Sequence, residues 1–245
     1  MTSGDLRTRG ALERVAATHA LADDQVEQLA AYVELLLGWR RANVTGLTDP
    51  VAVVDTLIGD SLGLLAVPQL RERESGAWLD LGAGAGIPGI PLAVALPGVR
   101  ITLLDAAAKK CAFLEAAVTA AGLSGRADVV CARSERHAAA APGREAYRVV
   151  LARAVAELSV LVELAAPLLV EGGLLLASKT RTALAGEGAA AEAAGESCGL
   201  VAEPPIPLFA SPLDDAVCAV FRKTAPAPEW LPRREGMAAK HPLGA

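Results

Sequence analysis

Between residues 24 and 41 the apolar side chains fall at Val26, Leu29, Ala30, Val33, Leu36 and Leu37. Steps of three and four residues lay them on one face of a helix. Asp49-Pro50 pairs a capping side chain with a residue suited to a first helical turn, and predicts a helix from there to about Val67. Val54, Leu57, Ile58, Leu62 and Leu65 line one face of it. Residues 1–72 therefore read as a helical subdomain.

From Ala77 the pattern changes to short apolar runs separated by helical stretches. The runs are AWLDL, RITLLD, ADVVCA, YRVVLA and GLLLAS. Between them, KKCAFLEAAVTAAG reads as a helix stopped by Gly122, and AELSVLVELAAPLLVEGG as one stopped by Gly172-Gly173. Strands alternating with helices predict a parallel sheet covered on both faces. After Leu200 two extended runs flank a proline-rich loop, and AVCAVFRK reads as a last, antiparallel strand. Residues 183–199 suggest a weak surface helix. The α/β domain then spans residues 73–223, and residues 224–245 form a basic, irregular tail.

Composition narrows the setting. A net charge of −5 and a pI near 5.3 leave no basic surface able to coat nucleic acid, so an RNA partner has to be met by a local patch. Cys111, Cys131, Cys198 and Cys218 form no CxxC pair and no histidine stands at ligand spacing, which points to isolated buried thiols, no metal and a reducing cytoplasm. The longest uncharged run, Leu81 to Val99, holds five glycines and three prolines and does not read as a membrane span. A soluble, cytoplasmic monomer is expected.

Ligands of open parallel sheets bind outside the carboxyl ends of the strands. Those ends carry Gly82, Gly84 and Gly86, then Asp105, then Arg133, Ser134 and Glu135, then Arg153, then Lys179. Five polar or glycine-rich ends in an apolar region read as one site. The loop itself, LDLGAGAGIPG, fits two ligand classes. A GxGxxG can be read from Gly84 to Gly89, but Pro88 removes an N–H where a dinucleotide phosphate would need one. In the other register Asp80 precedes the first glycine by two residues, which suits a ligand carrying an ammonium and a sulfonium, as S-adenosylmethionine does. Asp105 would hold ribose hydroxyls in either class. The balance favours S-adenosylmethionine over a nicotinamide cofactor.

DLGAGAGIPGIPLA, LLDAAAKKCAFLE, ARSE, YRVVLARAVA and GGLLLASK, in this order, resemble the GidB family of bacterial small-subunit rRNA guanine-N7 methyltransferases. WRRANVTGLTDP and the tail LPRREGMAAKHPL are similar to the family's two ends, so the resemblance covers roughly residues 30–244. It implies an α/β, Rossmann-like class I methyltransferase fold with an N-terminal helical extension. It also implies S-adenosylmethionine as cofactor and a guanine N7 in the decoding-region loop of 16S rRNA, within the small ribosomal subunit, as target. Cofactor contacts carry over to Gly82 and Ile87, with Gly84 between them, to Asp105 with Ala106, to Ser134 and Glu135, and to Arg153. Arg153 is also the one candidate for positioning the substrate. Lys109 and Lys110 match a basic pair at a helix start, where cations oppose the helix dipole and so suggest RNA phosphates. Lys179, Arg233 and Arg234 are further candidates for RNA contact. Trp230 would either stack on a base or pin the tail.

Three departures bear on activity. Thr56 and Leu57 stand where the family has Arg-His, before the retained Asp60 and Ser61. Thr180 follows Lys179 in place of glycine, and LDDAVC replaces a basic pair. A diverged methyltransferase with another substrate, or a non-catalytic assembly factor that binds the cofactor, are the alternatives these changes leave open. No Pro-Cys pair or Asn-Pro-Pro-Tyr motif is present, which disfavours methylation of pyrimidine carbon or of exocyclic amines.

Overall fold

The computed structural model describes residues 3–70, 73–208 and 215–244. The chain opens with α1 (Ser3–His19) and α2 (Asp23–Gly38). α1 lies within the stretch read as helical, although no apolar spacing marked its own span and Gly10 sits in its middle. Ala11, Leu12 and Ala16 nonetheless bury against the rest of the core. The predicted helix from Asp49 is present but broken in register. Asp49 caps α3 (Pro50–Val53) through the Ala52 N–H (2.9 Å), a wide π turn follows over Val54–Gly59, and α4 (Asp60–Gly63) and a tight 3₁₀ turn (Leu64–Ala66) complete it. Such a bulge takes one carbonyl out of the usual ladder and is frequent at functional sites.

Seven strands make one sheet among the described residues: β1 (Gly76–Leu81), β2 (Val99–Asp105), β3 (Ala127–Cys131), β4 (Tyr147–Arg153), β5 (Leu169–Thr180), β6 (Leu200–Pro207) and β7 (Ala216–Lys223). Their order is β3-β2-β1-β4-β5-β7-β6. The first five pair in parallel, and β7 runs antiparallel to both β5 and β6. The parallel sheet with an antiparallel last strand is as the sequence predicted. Connections leave β1 toward β2 on one side and enter β4 on the other, so a crevice opens at their carboxyl ends.

Successive strand residues face opposite sides. On β4, Val149 and Leu151 join one apolar cluster while Val150 and Ala152 join the other, which is why the strand reads as an unbroken apolar run. The N-terminal helices, α5 (Gly89–Ala95) and α6 (Ala108–Ala120) pack on the first face. The second takes α7 (Ser134–Ala139), α8 (Leu158–Ala165) and α9 (Arg181–Cys198). Gly122 ends α6 with φ +64°, as predicted. Edge strand β6 carries Pro204 and Pro205, at a break in its register with β7.

Two expectations fail for identifiable reasons. α8 stops at Ala165 rather than Gly172, because Pro167 ends it and Leu169 already pairs with Tyr147. Gly172 (φ +76°) lies instead in a bulge of β5. The cysteines are not four isolated thiols either. Cys111 of α6 and Cys131 at the end of β3 are joined as a disulfide, since α6 packs back over β3, while Cys198 and Cys218 stay free and buried. α9 is also less superficial than expected: Ala191, Ala194 and Cys198 are fully buried. Of the LDDAVC stretch, residues 213 and 214 lie outside the described residues, as does most of the loop between β6 and β7.

Thiol titration of the unfolded, unreduced protein should therefore detect two reactive groups, rising to four after reduction. Four without reductant would break the assigned pair.

Candidate cofactor cleft at the strand ends

The glycine loop turns through left-handed backbone at Gly82 (φ +70°), Gly84 (+55°) and Gly86 (+82°), which glycine adopts at little cost. At Gly82 the conformation is reinforced by crowding, since a Cβ there would come within 2.8 Å of Val155 Cγ2. Three outside groups hold the loop. Asp105, at the end of β2, accepts the Gly84 N–H (3.0 Å) on one oxygen and the Ala107 N–H (2.8 Å) on the other. Tyr32 of α2, wholly buried, donates its hydroxyl to the Ala85 carbonyl (2.5 Å). Asp80 accepts the Gly89 N–H at the start of α5 (2.9 Å).

Asp80 corrects one expectation. Its carboxylate is fully buried beneath Gly89, away from the cleft, and is not placed to meet a ligand's ammonium. Burial pushes its pKa up to about 7; Asp105 nearby adds to the rise and the Gly89 hydrogen bond opposes it. Its second oxygen has no partner among the described residues.

A cleft of about 200 Å³ lies over these strand ends. Its polar side holds Asp105, Ser134 and Glu135; its apolar side holds Val155, Val160 and Leu164. Ser134 donates to Glu135 Oε2 (3.1 Å). Gly236, Ala238 and Ala239 of the tail close it, with α10 (Met237–Lys240) packed on α8. The fit to a nucleoside is chemical. Each oxygen of Asp105 accepts one backbone bond and keeps capacity for a ribose hydroxyl, and the apolar slot suits a purine face. Two wider depressions, about 590 and 570 Å³, flank Trp39 and Arg40 instead and hold none of this chemistry.

Gly82, Asp105, Ala106, Ser134 and Glu135 thus meet in one place, as predicted. Ile87 does not: it packs into the apolar cluster. Gly84 contributes through its bond to Asp105. Arg153 turns toward the π turn, where its guanidinium donates to the Thr56 carbonyl (3.2 Å from both terminal nitrogens) and to Asp60 (3.0 Å). The residues nominated for RNA contact divide. Lys109 and Arg234 are exposed, and neither forms an ion pair among the described residues. Lys110 leans to Asp105 (3.9 Å). Lys179 is bound to Glu187 (2.7 Å) and the Ala156 carbonyl (2.9 Å), and Arg233 forks onto buried Glu163. Trp230 is 47% exposed; the tail is pinned by Leu231 and by Arg144, which donates to the Leu231 carbonyl (2.6 Å). Sequence reasoning missed the tail's place in the cleft, because Arg144, Glu163 and Arg233 are distant in sequence and carry no local pattern.

The reversed β7 between β5 and β6 separates this sheet from the 3-2-1-4-5-6 dinucleotide-binding order. This order, with its reversed strand, is that of the class I methyltransferase fold. Residues 25–202 match the GidB family model, described as rRNA small subunit methyltransferase G. Ribosomal RNA small subunit methyltransferase G of Rubrobacter xylanophilus is 39% identical over 224 residues, covering 90% of this chain and 84% of that protein. Its namesake in Desulfitobacterium hafniense is 35% identical over 238 residues, 96% of each. The chain belongs to this family. Among solved structures, the mitomycin 7-O-methyltransferase MmcR superposes with a TM-score of 0.57 at 15% identity, over 91% of this chain and 69% of that one. Atu636 of Agrobacterium tumefaciens, described as a predicted O-methyltransferase, gives 0.52 at 22%, over 69% and 82%. Both agree on the fold.

Removing the Tyr32 hydroxyl (Tyr32→Phe) should leave the Ala85 carbonyl buried and unpaired, costing about 1–3 kcal/mol by chemical denaturation. The loosened loop should also bind S-adenosylmethionine more weakly by calorimetry. For Asp80 the sign follows from its raised pKa: the native state holds its proton more tightly than the unfolded chain. That contribution is present in acid and is lost as pH climbs from the ordinary carboxyl value of 3.8 to about 7. Urea midpoints at pH 5 and pH 8 should therefore show Asp80→Asn gaining on the parent at the higher pH. An identical pH response in both proteins would refute this.

Proposed function

We propose that the protein transfers a methyl group from S-adenosylmethionine to N7 of a guanine in the decoding-region loop of 16S rRNA, acting as a monomer on the small ribosomal subunit in the cytoplasm. The observation that carries the reading is Asp105, buried beside a left-handed glycine loop with hydroxyl-accepting capacity to spare. Bound there, S-adenosylmethionine supplies a methyl group on a positively charged sulfur. Asp105 holds the ribose hydroxyls, Val155, Val160 and Leu164 grip the purine, and Ser134 and Glu135 meet its polar edge. Arg153, braced by the Thr56 carbonyl and Asp60, is a fixed cation for the space between cofactor and guanine. Residues 1–72 act as a bracket for the glycine loop, through Tyr32, and for Arg153, through the π turn.

Guanine N7 has an in-plane lone pair and no proton to lose. Methylation there asks the chain to orient and to exclude water, and orientation is worth on the order of 7–11 kcal/mol. The cleft matches that demand. Its carboxylates Asp105 and Glu135 already accept backbone N–H groups, and His137 is engaged with the Tyr147 hydroxyl (2.7 Å). Burial lowers the His137 pKa from its ordinary value.

The test is methyl transfer from labelled S-adenosylmethionine to small subunits lacking the modification, with the product mapped by cleavage at N7-methylguanine. Label at one guanine of the decoding-region loop is the expected result. Absence of label with intact cofactor binding would assign the chain to a diverged relative, with Leu57, half-buried where the family has histidine, the first position to restore. Of the residues nominated for RNA contact, Lys179 and Arg233 are paired internally and Lys110 leans to Asp105, which leaves Lys109 and Arg234 for phosphates. Each phosphate neutralised contributes a slope of ~0.7–0.9 to the log–log salt dependence. Binding to naked rRNA should therefore lose affinity only gently with salt, and a steep dependence would contradict it.

A further inference from the structure

The tail holds an arrangement beyond residues 25–202, the span of the family match. Arg144 anchors its first part to the Leu231 and Ala227 carbonyls (2.6 and 3.3 Å). Arg233 anchors the next on Glu163 of α8, only 2% exposed, and reaches forward to the His241 carbonyl (2.8 Å). Past this point the chain crosses the cleft. Gly236 donates its N–H to Glu135 Oε1 (2.8 Å), and its φ of +79° turns the chain into α10. Gly236, Ala238 and Ala239 face the same space as Asp105 and Ser134.

We propose that this strap, residues 235–239, completes the cofactor site as the wall against the adenosine end and swings aside for the cofactor to enter and leave. The inference rests on the reading of the cleft as the S-adenosylmethionine site. Three observations carry it. With the strap closed the cleft measures about 200 Å³, below the ~300–1,000 Å³ usual for pockets that enclose small molecules. Glu135 serves both parts, lining the cleft with its side chain while holding the strap through Gly236. The holds differ in strength along the strap: Arg233–Glu163 is buried, whereas Arg136–Glu235 pairs side chains 70% and 39% exposed. Exposed pairs in water hold weakly. Arg233 thus fixes both ends of the segment, through Glu163 before it and the His241 carbonyl after it. Between them the Gly236–Glu135 hydrogen bond and the exposed Arg136–Glu235 pair hold it over the cleft. Its small residues leave room that a larger side chain would fill.

Stopped-flow binding of S-adenosylhomocysteine, the demethylated product, to the full chain tests this. Ala239→Trp should fill the adenosine end and raise Kd about tenfold or more with the melting temperature unchanged. Arg136→Ala should unlatch the strap, so that association and dissociation both become faster. A purely structural tail would lower the melting temperature without speeding association. Parent-like rates and affinity in both variants would overturn the strap. Should Ala239→Trp fold poorly, Arg136→Ala decides alone, since its side chain lies at the surface. If the parent binds neither S-adenosylhomocysteine nor S-adenosylmethionine, the cofactor reading itself falls, an outcome separate from variants that match a binding parent.

Discussion

A loop of alternating glycines has no shape of its own; here its shape is imposed by hydrogen bonds from outside it. Glycine makes the left-handed turns affordable but also multiplies the conformations open to the unfolded chain. Asp105 and Tyr32 grip the loop's backbone from β2 and α2, and Asp80 fixes the start of the helix that follows. Two of these three are carboxylates inside a nearly apolar core, and neither stands idle. Asp105 keeps lone pairs directed to the cleft, whereas Asp80 is committed to the fold, and its raised pKa reflects the burial that this commitment costs. The same residue type at adjacent strand ends thus divides into one that lines the cleft and one buried within the fold.

How much of this could be read beforehand depends on range. Local signals held: the Asp49 cap, the Gly122 stop, the strands as apolar runs and the reversed last strand all follow from neighbours in sequence. The clustering of Gly82, Asp105, Ser134 and Glu135 followed from topology, because parallel strands deliver their carboxyl ends to one side. What escaped was long-range. Arg233 and Arg234 are indistinguishable in sequence, yet one is held by Glu163 and the other is exposed. The Cys111–Cys131 pairing needed the packing of α6 on β3 to be known. The π turn escaped too, since its apolar positions fit an ordinary helix. Only the carbonyl it releases, taken up by Arg153, gives it meaning.

Cationic side chains in this protein are spent largely on its own architecture. Arg144, Lys179, Arg233 and Lys223 all hold backbone carbonyls or buried carboxylates. An acidic chain that acts on RNA under these terms relies on shape and on a few placed charges more than on a general attraction to phosphate.

The sheet order also constrains how the chain is made. β6 is synthesised before β7, yet β7 is its neighbour and lies between it and β5. Until β7 is made, the residues of β6 have no strand to pair with. Pro204 and Pro205 remove two of its ladder donors, and Glu203 adds a charge beside them. The residues that blunt an outer edge in the finished sheet therefore also guard against mispairing and aggregation while the fold is still incomplete.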